Sequence, residues 1–240
     1  MHEDERYEEV LDWPMVESGR VGNSEFILGN LGSDWVVRVD NRVLMTNRVH
    51  QSEIELAAMA TAMCQDPRSV LIGGLGLGYT LRAALDRMPA NSQVTVAELV
   101  PELVDWNRRL LPHLNDSPLE DPRCEVIIGD VFDVIAKSNR RFDVIVLDVD
   151  NGPQNLSQAK NQRLYGDIGT RALYEALEPD GVLGVWSAGP CGKYAGRLRR
   201  HGFEMEVVKT PAHAGSHAWH VLFLGKKQPR FGPELDPTRI

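Results

Sequence analysis

The sequence predicts an α/β protein: a mostly parallel sheet ending in a C-terminal antiparallel hairpin, preceded by a small N-terminal β-hairpin appendage. Three observations carry this. From Ser69 onward, short apolar runs alternate with helical segments, the pattern of strands joined by crossover helices. A glycine-rich bend succeeds the first apolar run and opens a helix. The last two strand-like runs, 203–208 and 219–224, lie too close together for a crossover helix, so they pair antiparallel.

Before Thr46, β-prone pieces at 26–28, 35–39 and 43–45 are separated by Gly29-Asn30, Gly32-Ser33 and Asp40-Asn41, which are turn residues. This sets an appendage over 1–50, an α/β domain over 51–227 and a loose, proline-rich tail over 228–240. An Ala- and Met-rich helix is expected at 53–64. Strands are expected at 69–72, 93–97, 124–128, 142–147 and 181–186. Helices are expected at 79–86, 102–111 and 131–136, with another ending at 171–177.

Composition bounds the function. The chain has 240 residues, 42% apolar and 25% charged, ordinary for one globular domain with an appendage. Its formal net charge of −8 disfavours nucleic acid, which needs clustered Lys and Arg, and steers cationic small molecules favourably; it also simply aids solubility. Cys64, Cys124 and Cys191 are odd in number and far apart, so no disulfide framework is expected and a reducing compartment fits. MHEDERYEEV lacks the apolar stretch of a secretory signal, and no apolar run approaches the roughly 20 residues that span a bilayer. A cytoplasmic chain without membrane contact is the expectation.

The strongest local signal is Gly73-Gly74-Leu75-Gly76-Leu77-Gly78-Tyr79. Glycines allow a sharp bend and close ligand approach, and a helix N-terminus offers free N–H groups. The spacing is G-x-G-x-G from Gly74, Gly76 and Gly78. The third glycine of a dinucleotide fingerprint would fall on Tyr79, which argues against NAD, and no Gly-Lys-Ser/Thr comes after it to make a P-loop. A plain tight turn is the bland reading. Glu98 ends the second strand, where an acid can accept ribose hydroxyls, and Asp130 ends the third, where a carboxylate can accept from an adenine amino group. Asp148 and Asp150 end the fourth. Asp148 either faces an acceptor or merely orients its own loop by accepting the Asn151 or Gly152 amide.

Other features read more plainly. His213, His217 and His220 form H-x3-H-x2-H, but a hairpin tip with exposed imidazoles explains them, with no local fourth ligand, and no metal is expected. Trp35, Trp106 and Trp186 read as core or interface residues. Arg108-Arg109 and Arg197 to Arg200 read as solvated helix faces.

From Ser69 to about Trp186 the chain resembles the spermidine synthase-like branch of the class I S-adenosylmethionine (AdoMet)-dependent methyltransferase superfamily. The resemblance rests on LIGGLGLGYTLR, VTVAELVPELVDWNRRLLP, DPRCEVIIGDVFDVI, RFDVIVLDVDNGP, RLYGDIGTRALYEAL and EPDGVLGVWSA, with RVLMTNRVHQSE ahead of the bend. It implies a Rossmann-like sheet and a sulfonium nucleoside as co-substrate, AdoMet or its decarboxylated form. It implies that Gly74, Gly76 and Gly78 cradle the methionine-derived part, Glu98 the ribose, and Asp130 with the Val131 amide the adenine. Asp148 or Asp150 would face a small acceptor, a cationic amine being one option, and Tyr165 matches a position near the site. Trp13 lies in a segment expected to close over the site. His50 and Gln51 stand near the acceptor mouth, although a helix start with Ser52 as N-cap reads equally well. A homodimer is compatible with the resemblance.

Two departures concern amine recognition. The family's glycine loop carries an acid that pairs with the aminopropyl ammonium; here Gly76 stands in for it. The family's Asp-x-x-Asp-Pro is contracted to Asp148-Val149-Asp150-Asn151. The sequence therefore leans slightly to methyl transfer from AdoMet onto a small amine-type acceptor. Aminopropyl transfer from decarboxylated AdoMet, as in polyamine synthesis, is the alternative, and a non-catalytic nucleoside-binding protein the second.

Overall fold

The computed structural model describes residues 12–40, 42–149, 152–155, 159–212 and 218–228. Strands β1 (Met15–Val21), β2 (Ser24–Leu31), β3 (Asp34–Val39) and β4 (Arg42–Thr46) form an antiparallel meander in sequence order. β1, MVESGRV, is not among the strands expected from the sequence because it contains no apolar run; its pairing to β2 makes it a strand.

The second sheet has seven strands in the order β10-β11-β9-β8-β5-β6-β7. β5 (Ser69–Gly73), β6 (Gln93–Glu98), β7 (Cys124–Ile128), β8 (Phe142–Leu147) and β9 (Leu177–Ser187) are parallel. β11 (Trp219–Lys227) runs antiparallel to β9, and β10 (Phe203–Pro211) antiparallel to β11. The mixed α/β sheet with its terminal hairpin is the expected architecture. β9 opens at Leu177, because the helix before it runs straight into the strand.

Alternate residues of the central strands feed two cores. Val144 and Val146 of β8 join Val70, Ile72, Val182 and Leu222 on one face, covered by α1 (Gln51–Ala62), α2 (Tyr79–Leu85) and Val104 of α3 (Pro101–Arg109). Ile145 and Leu147 join Leu71, Leu183, Val185 and Phe223 on the other, covered by α4 (Val131–Ala136), α6 (Asp167–Ala176) and α7 (Gly192–Arg200). Helix α5 (Ala159–Tyr165) delivers Leu164 and Tyr165 to the same side. Burial on both faces explains why these strands read as unbroken apolar runs. Arg197 of α7 is not a solvated residue: Nη1 donates to the Tyr165 carbonyl (3.0 Å) and its side chain is only 16% exposed.

Two packing contacts place helix α1 and the meander. The absence of a side chain at Gly184 of β9 brings α1 close, since a Cβ there would lie 3.0 Å from Ala60 Cβ and 3.1 Å from Leu56 Cδ1. Earlier in the same helix, Ser52 Oγ accepts from the Trp186 indole, two residues further along β9 (3.0 Å). Helix α1 therefore runs opposite to β9, with its first turn at the carboxyl edge of the sheet. The meander docks through Leu28 and Val37 onto Leu77, Leu103, Trp106 and Leu111. Glu17 of β1 ties it to α3, accepting from Trp106 Nε1 (2.9 Å) and Arg109 Nη2 (2.8 Å). No helix among the described residues is long and apolar enough to cross a membrane.

Ile145 is fully buried at the centre of the sheet. Replacing it with Ala should lower the unfolding free energy by about 2–5 kcal/mol, and with Val by about 0.5–1.5 kcal/mol, measured by denaturant titration.

Candidate active site

The order of the parallel strands reverses at β5, whose neighbours β6 and β8 lead in opposite directions. The crevice outside the carboxyl ends of such strands is where open α/β sheets take ligands. A cavity of about 520 Å³ lies there, covered from the meander side by Val43 to Thr46. Of the residues singled out in the sequence, Gly74, Gly76, Glu98, Asp130, Val131 and Asp148 line it.

The glycine bend is held by its neighbours. Gly74 has φ +88°, and a Cβ there would meet the Asp148 carbonyl oxygen at 2.2 Å, so only glycine fits between β5 and β8. Glu98 Oε2 accepts the Leu75 amide (2.7 Å) while its Oε1 accepts the Val100 amide (2.8 Å). Asn107 Nδ2 donates to the Gly76 carbonyl (2.9 Å), and Asn115 Nδ2 to the Leu77 carbonyl. Gly78, expected to help cradle the co-substrate, lies outside the cavity wall; it takes φ +86° ahead of α2, with Asn115 and Asn107 filling the space beside it.

The acids differ in their partners. Asp130 Oδ1 caps α4 by accepting the Phe132 amide (2.8 Å), and Oδ2 meets Arg163 (3.1 Å) in a half-exposed pair worth little in water. Asp148 Oδ2 accepts from the Thr80 hydroxyl at the start of α2. Burial raises the Asp148 pKa; the Thr80 bond opposes this and the Glu98 charge adds to it. Burial also raises Glu98, against the amides of Leu75, Val100, Gly76 and Leu99.

One acidic wall residue was not among those singled out. Glu53, in the first turn of α1, lines the cavity, and its Oε2 is shut off from solvent with no hydrogen-bond partner among the described residues. Burial, then the Asp148 charge, drives its pKa well above 4.5. A first-turn acid normally reads as a surface complement to the helix dipole. The available signal was phase: Glu53 precedes the buried Leu56 and Ala57 by three and four residues, the same helix face. Glu53 also raises Tyr79, which burial first pushes up, to about 12.

Ser52, Trp186 and His220 form a second polar wall. Ser52 is not an N-cap: α1 starts at Gln51, and the Ser52 hydroxyl accepts from Trp186 and bonds His220 Nδ1 (2.9 Å). His220 is not an exposed tip residue either. Because β11 is antiparallel, its first residues lie at the carboxyl edge, and His220 is half-buried there with a pKa lowered by burial. Trp186, read as core, also faces the cavity.

The remaining candidates lie elsewhere. Tyr165 is 1% exposed, edge-on to Tyr194 at 5.4 Å, with its hydroxyl donating to the Val149 carbonyl (3.4 Å); it belongs to the core. Trp13 packs on Val36 under the Arg48 guanidinium. Gln51 is exposed and donates to Glu55 (3.1 Å). His50 stacks on Tyr79 at 4.0 Å, one layer behind the wall. Asp150, His213 and His217 lie outside the described residues. Among the described residues, no three His, Cys, Asp or Glu side chains are grouped to hold a metal ion.

Gly74→Ala should lose at least about 1–3 kcal/mol of stability from backbone strain alone, read by denaturant titration. The buried acids also set a pH dependence. Folded pKa values of Glu53, Asp148 and Glu98 lie above their unfolded ones. Their contribution to stability is present below the ordinary values and is lost as pH rises through the raised ones. Asp121, held at about 2 by Arg123, acts oppositely, its contribution vanishing only as pH falls below 3.8. The melting temperature of the ligand-free chain should thus peak at mildly acidic pH and fall as pH rises through the raised values, about 6 for Asp148, and Glu53→Gln should flatten that fall.

Comparison with known proteins agrees with this fold. The family model for the spermine/spermidine synthase domain matches residues 50–190. A polyamine aminopropyltransferase of Synechococcus sp. (strain JA-2-3B'a(2-13)) is 28% identical over 208 residues, 85% of this chain. Another, of Thermoanaerobacter sp. (strain X514), is 30% identical over 173 residues, 68% of this chain. The chain spans 60% and 59% of the length of these two relatives. The fold matches that of spermidine synthase from Thermotoga maritima with a TM-score of 0.72 at 21% identity, covering 89% of this chain and 72% of that one. It likewise matches a spermidine synthase in complex with the transition state analogue AdoDATO, with a TM-score of 0.74 at 21% identity, covering 89% and 73%. With the family match extending over more than half its length, from the start of α1 to the loop beyond β9, the chain belongs to the spermine/spermidine synthase family.

Proposed function

We propose that this chain transfers an aminopropyl group from decarboxylated AdoMet to a small cationic amine. The observation that carries this reading is the charge of the cavity. Glu53, Glu98, Asp130 and Asp148 line it, and no Lys or Arg does among the described residues. Decarboxylated AdoMet brings a sulfonium and an ammonium and no carboxylate, so both its charges suit such walls. The relatives named as polyamine aminopropyltransferases support the same reading.

The cavity's charge also weighs against the lean toward methyl transfer. That lean rested on whole AdoMet bringing its own carboxylate beside its ammonium. In this cavity that carboxylate meets acids, with no Lys or Arg lining the wall beside it among the described residues. Two like charges 4 Å apart repel by about 4 kcal/mol at an effective dielectric of 20, enough to outweigh most single hydrogen bonds.

The reaction is one displacement. The acceptor nitrogen attacks the aminopropyl CH₂ bonded to sulfur, the C–S bond breaks, and its electron pair stays on sulfur. Neutral methylthioadenosine leaves. Holding nitrogen and carbon in line supplies about 7–11 kcal/mol of the barrier. An amine with a solution pKa near 10 must first lose a proton. Asp148 is the group we assign to accept it: burial brings its pKa upward, closer to that of the amine, and Thr80 fixes its orientation.

The test is product analysis by chromatography. Decarboxylated AdoMet with a short diamine should release methylthioadenosine, and Asp148→Asn should cut kcat by about 10²–10⁴-fold. Formation of S-adenosylhomocysteine from AdoMet, with the decarboxylated form inert, would restore the methyl-transfer reading.

A further inference from the structure

We propose that Glu53 is the donor-selecting residue of this cavity: it holds the ammonium of the aminopropyl group, the task for which the glycine bend of this chain carries no acid. The inference rests on the aminopropyl reading and deepens it.

Most of the lining carboxylates already have partners. Glu98 spends one oxygen on the Leu75 amide and the other on the Val100 amide. Asp130 caps α4 with one oxygen and meets Arg163 with the other. Asp148 accepts from Thr80. Glu53 differs from all three, because its Oε2 is buried at the cavity wall and no hydrogen bond from the described residues satisfies it. Buried polar atoms are nearly always paired, and an orphaned carboxylate oxygen is costly to keep. Its persistence at a cavity wall is explained when a ligand supplies the missing donor.

Position then identifies the donor. Glu53 lines the cavity together with Gly74 and Gly76 of the bend and with Tyr79 and Thr80, which open α2 directly after it. The Glu53 charge acts on Tyr79. A nucleoside whose sulfonium tail lies along the bend brings its terminal ammonium to Glu53. An ammonium has three N–H donors, one of which the unpaired Glu53 oxygen takes. Whole AdoMet would set its carboxylate against the same acid.

The helix placement accounts for the residue. Gly184 lets α1 close on β9, and the Ser52–Trp186 bond holds its first turn at the carboxyl edge. Glu53 is the next residue. An acid supplied from α1 therefore takes over a charge that the bend, with Gly76, does not provide.

Calorimetry on the full chain tests this with three probes: methylthioadenosine, decarboxylated AdoMet and AdoMet. Glu53→Gln keeps the shape and removes the charge; Glu53→Asp keeps the charge and withdraws it. Glu53→Gln should weaken decarboxylated AdoMet about tenfold or more while leaving methylthioadenosine unchanged, and should narrow its advantage over AdoMet. Glu53→Asp should fall between. Methylthioadenosine bound normally with decarboxylated AdoMet within about twofold of wild type would overturn the assignment. So would unfolding of both variants, which would mark Glu53 as structural. A wild-type chain that binds none of the three nucleosides would instead remove the donor reading on which the assignment stands.

Discussion

The Glu98 carboxylate ties the glycine bend to the sheet, and the site depends on that bond. One oxygen takes the first amide of the bend, at Leu75; the other takes Val100, in the turn entering α3. Two chain segments that leave the sheet side by side are thereby fixed by a single buried charge. Charge-assisted bonds to backbone amides are about twice as strong as neutral ones, which lets a short strand end hold an otherwise flexible glycine run. The path of Gly74 past the Asp148 carbonyl and the start of α2 at Tyr79 both depend on it.

Around that anchor the chain gathers negative charge where folding alone would exclude it. Burial raises the pKa values of Glu53, Glu98 and Asp148, each a sign that the charged form is disfavoured within the cavity walls. Perturbed acids at a cleft mark the place where a structure trades stability for binding. A bound cation would reverse the balance, since an opposite charge within a few ångströms favours the ionised carboxylates. The same charges that destabilise the ligand-free chain would then favour a cationic ligand.

Much of this was legible in the residues. The strand–helix rhythm placed the sheet, and the acids at the ends of β6, β7 and β8 came with it, because the carboxyl ends of parallel strands share one edge. Glu98, Asp130 and Asp148 do line the cavity. Tyr165 and Trp13 went the other way: position in a motif brought them near the site, but an aromatic ring with an apolar pocket available is buried in it. Gly76 drew attention to a missing acid without showing that α1 brings another to the same cavity.

What the sequence determined by itself is local: the alternation of strands and helices, the bend that only glycine permits at Gly74, and the acid at each strand tip. What only the tertiary structure decided is which distant residues share a wall. Ser52 meets Trp186 across 134 residues and His220 across 168. Glu53 shares the cavity wall with Asp148 because α1 lies close on Gly184 with its first turn at the carboxyl edge. Periodicity reports the face of an element and not its direction across a sheet. The direction of α1 comes from packing against residues far along the chain, so the charge that completes the cavity became visible only in the folded molecule.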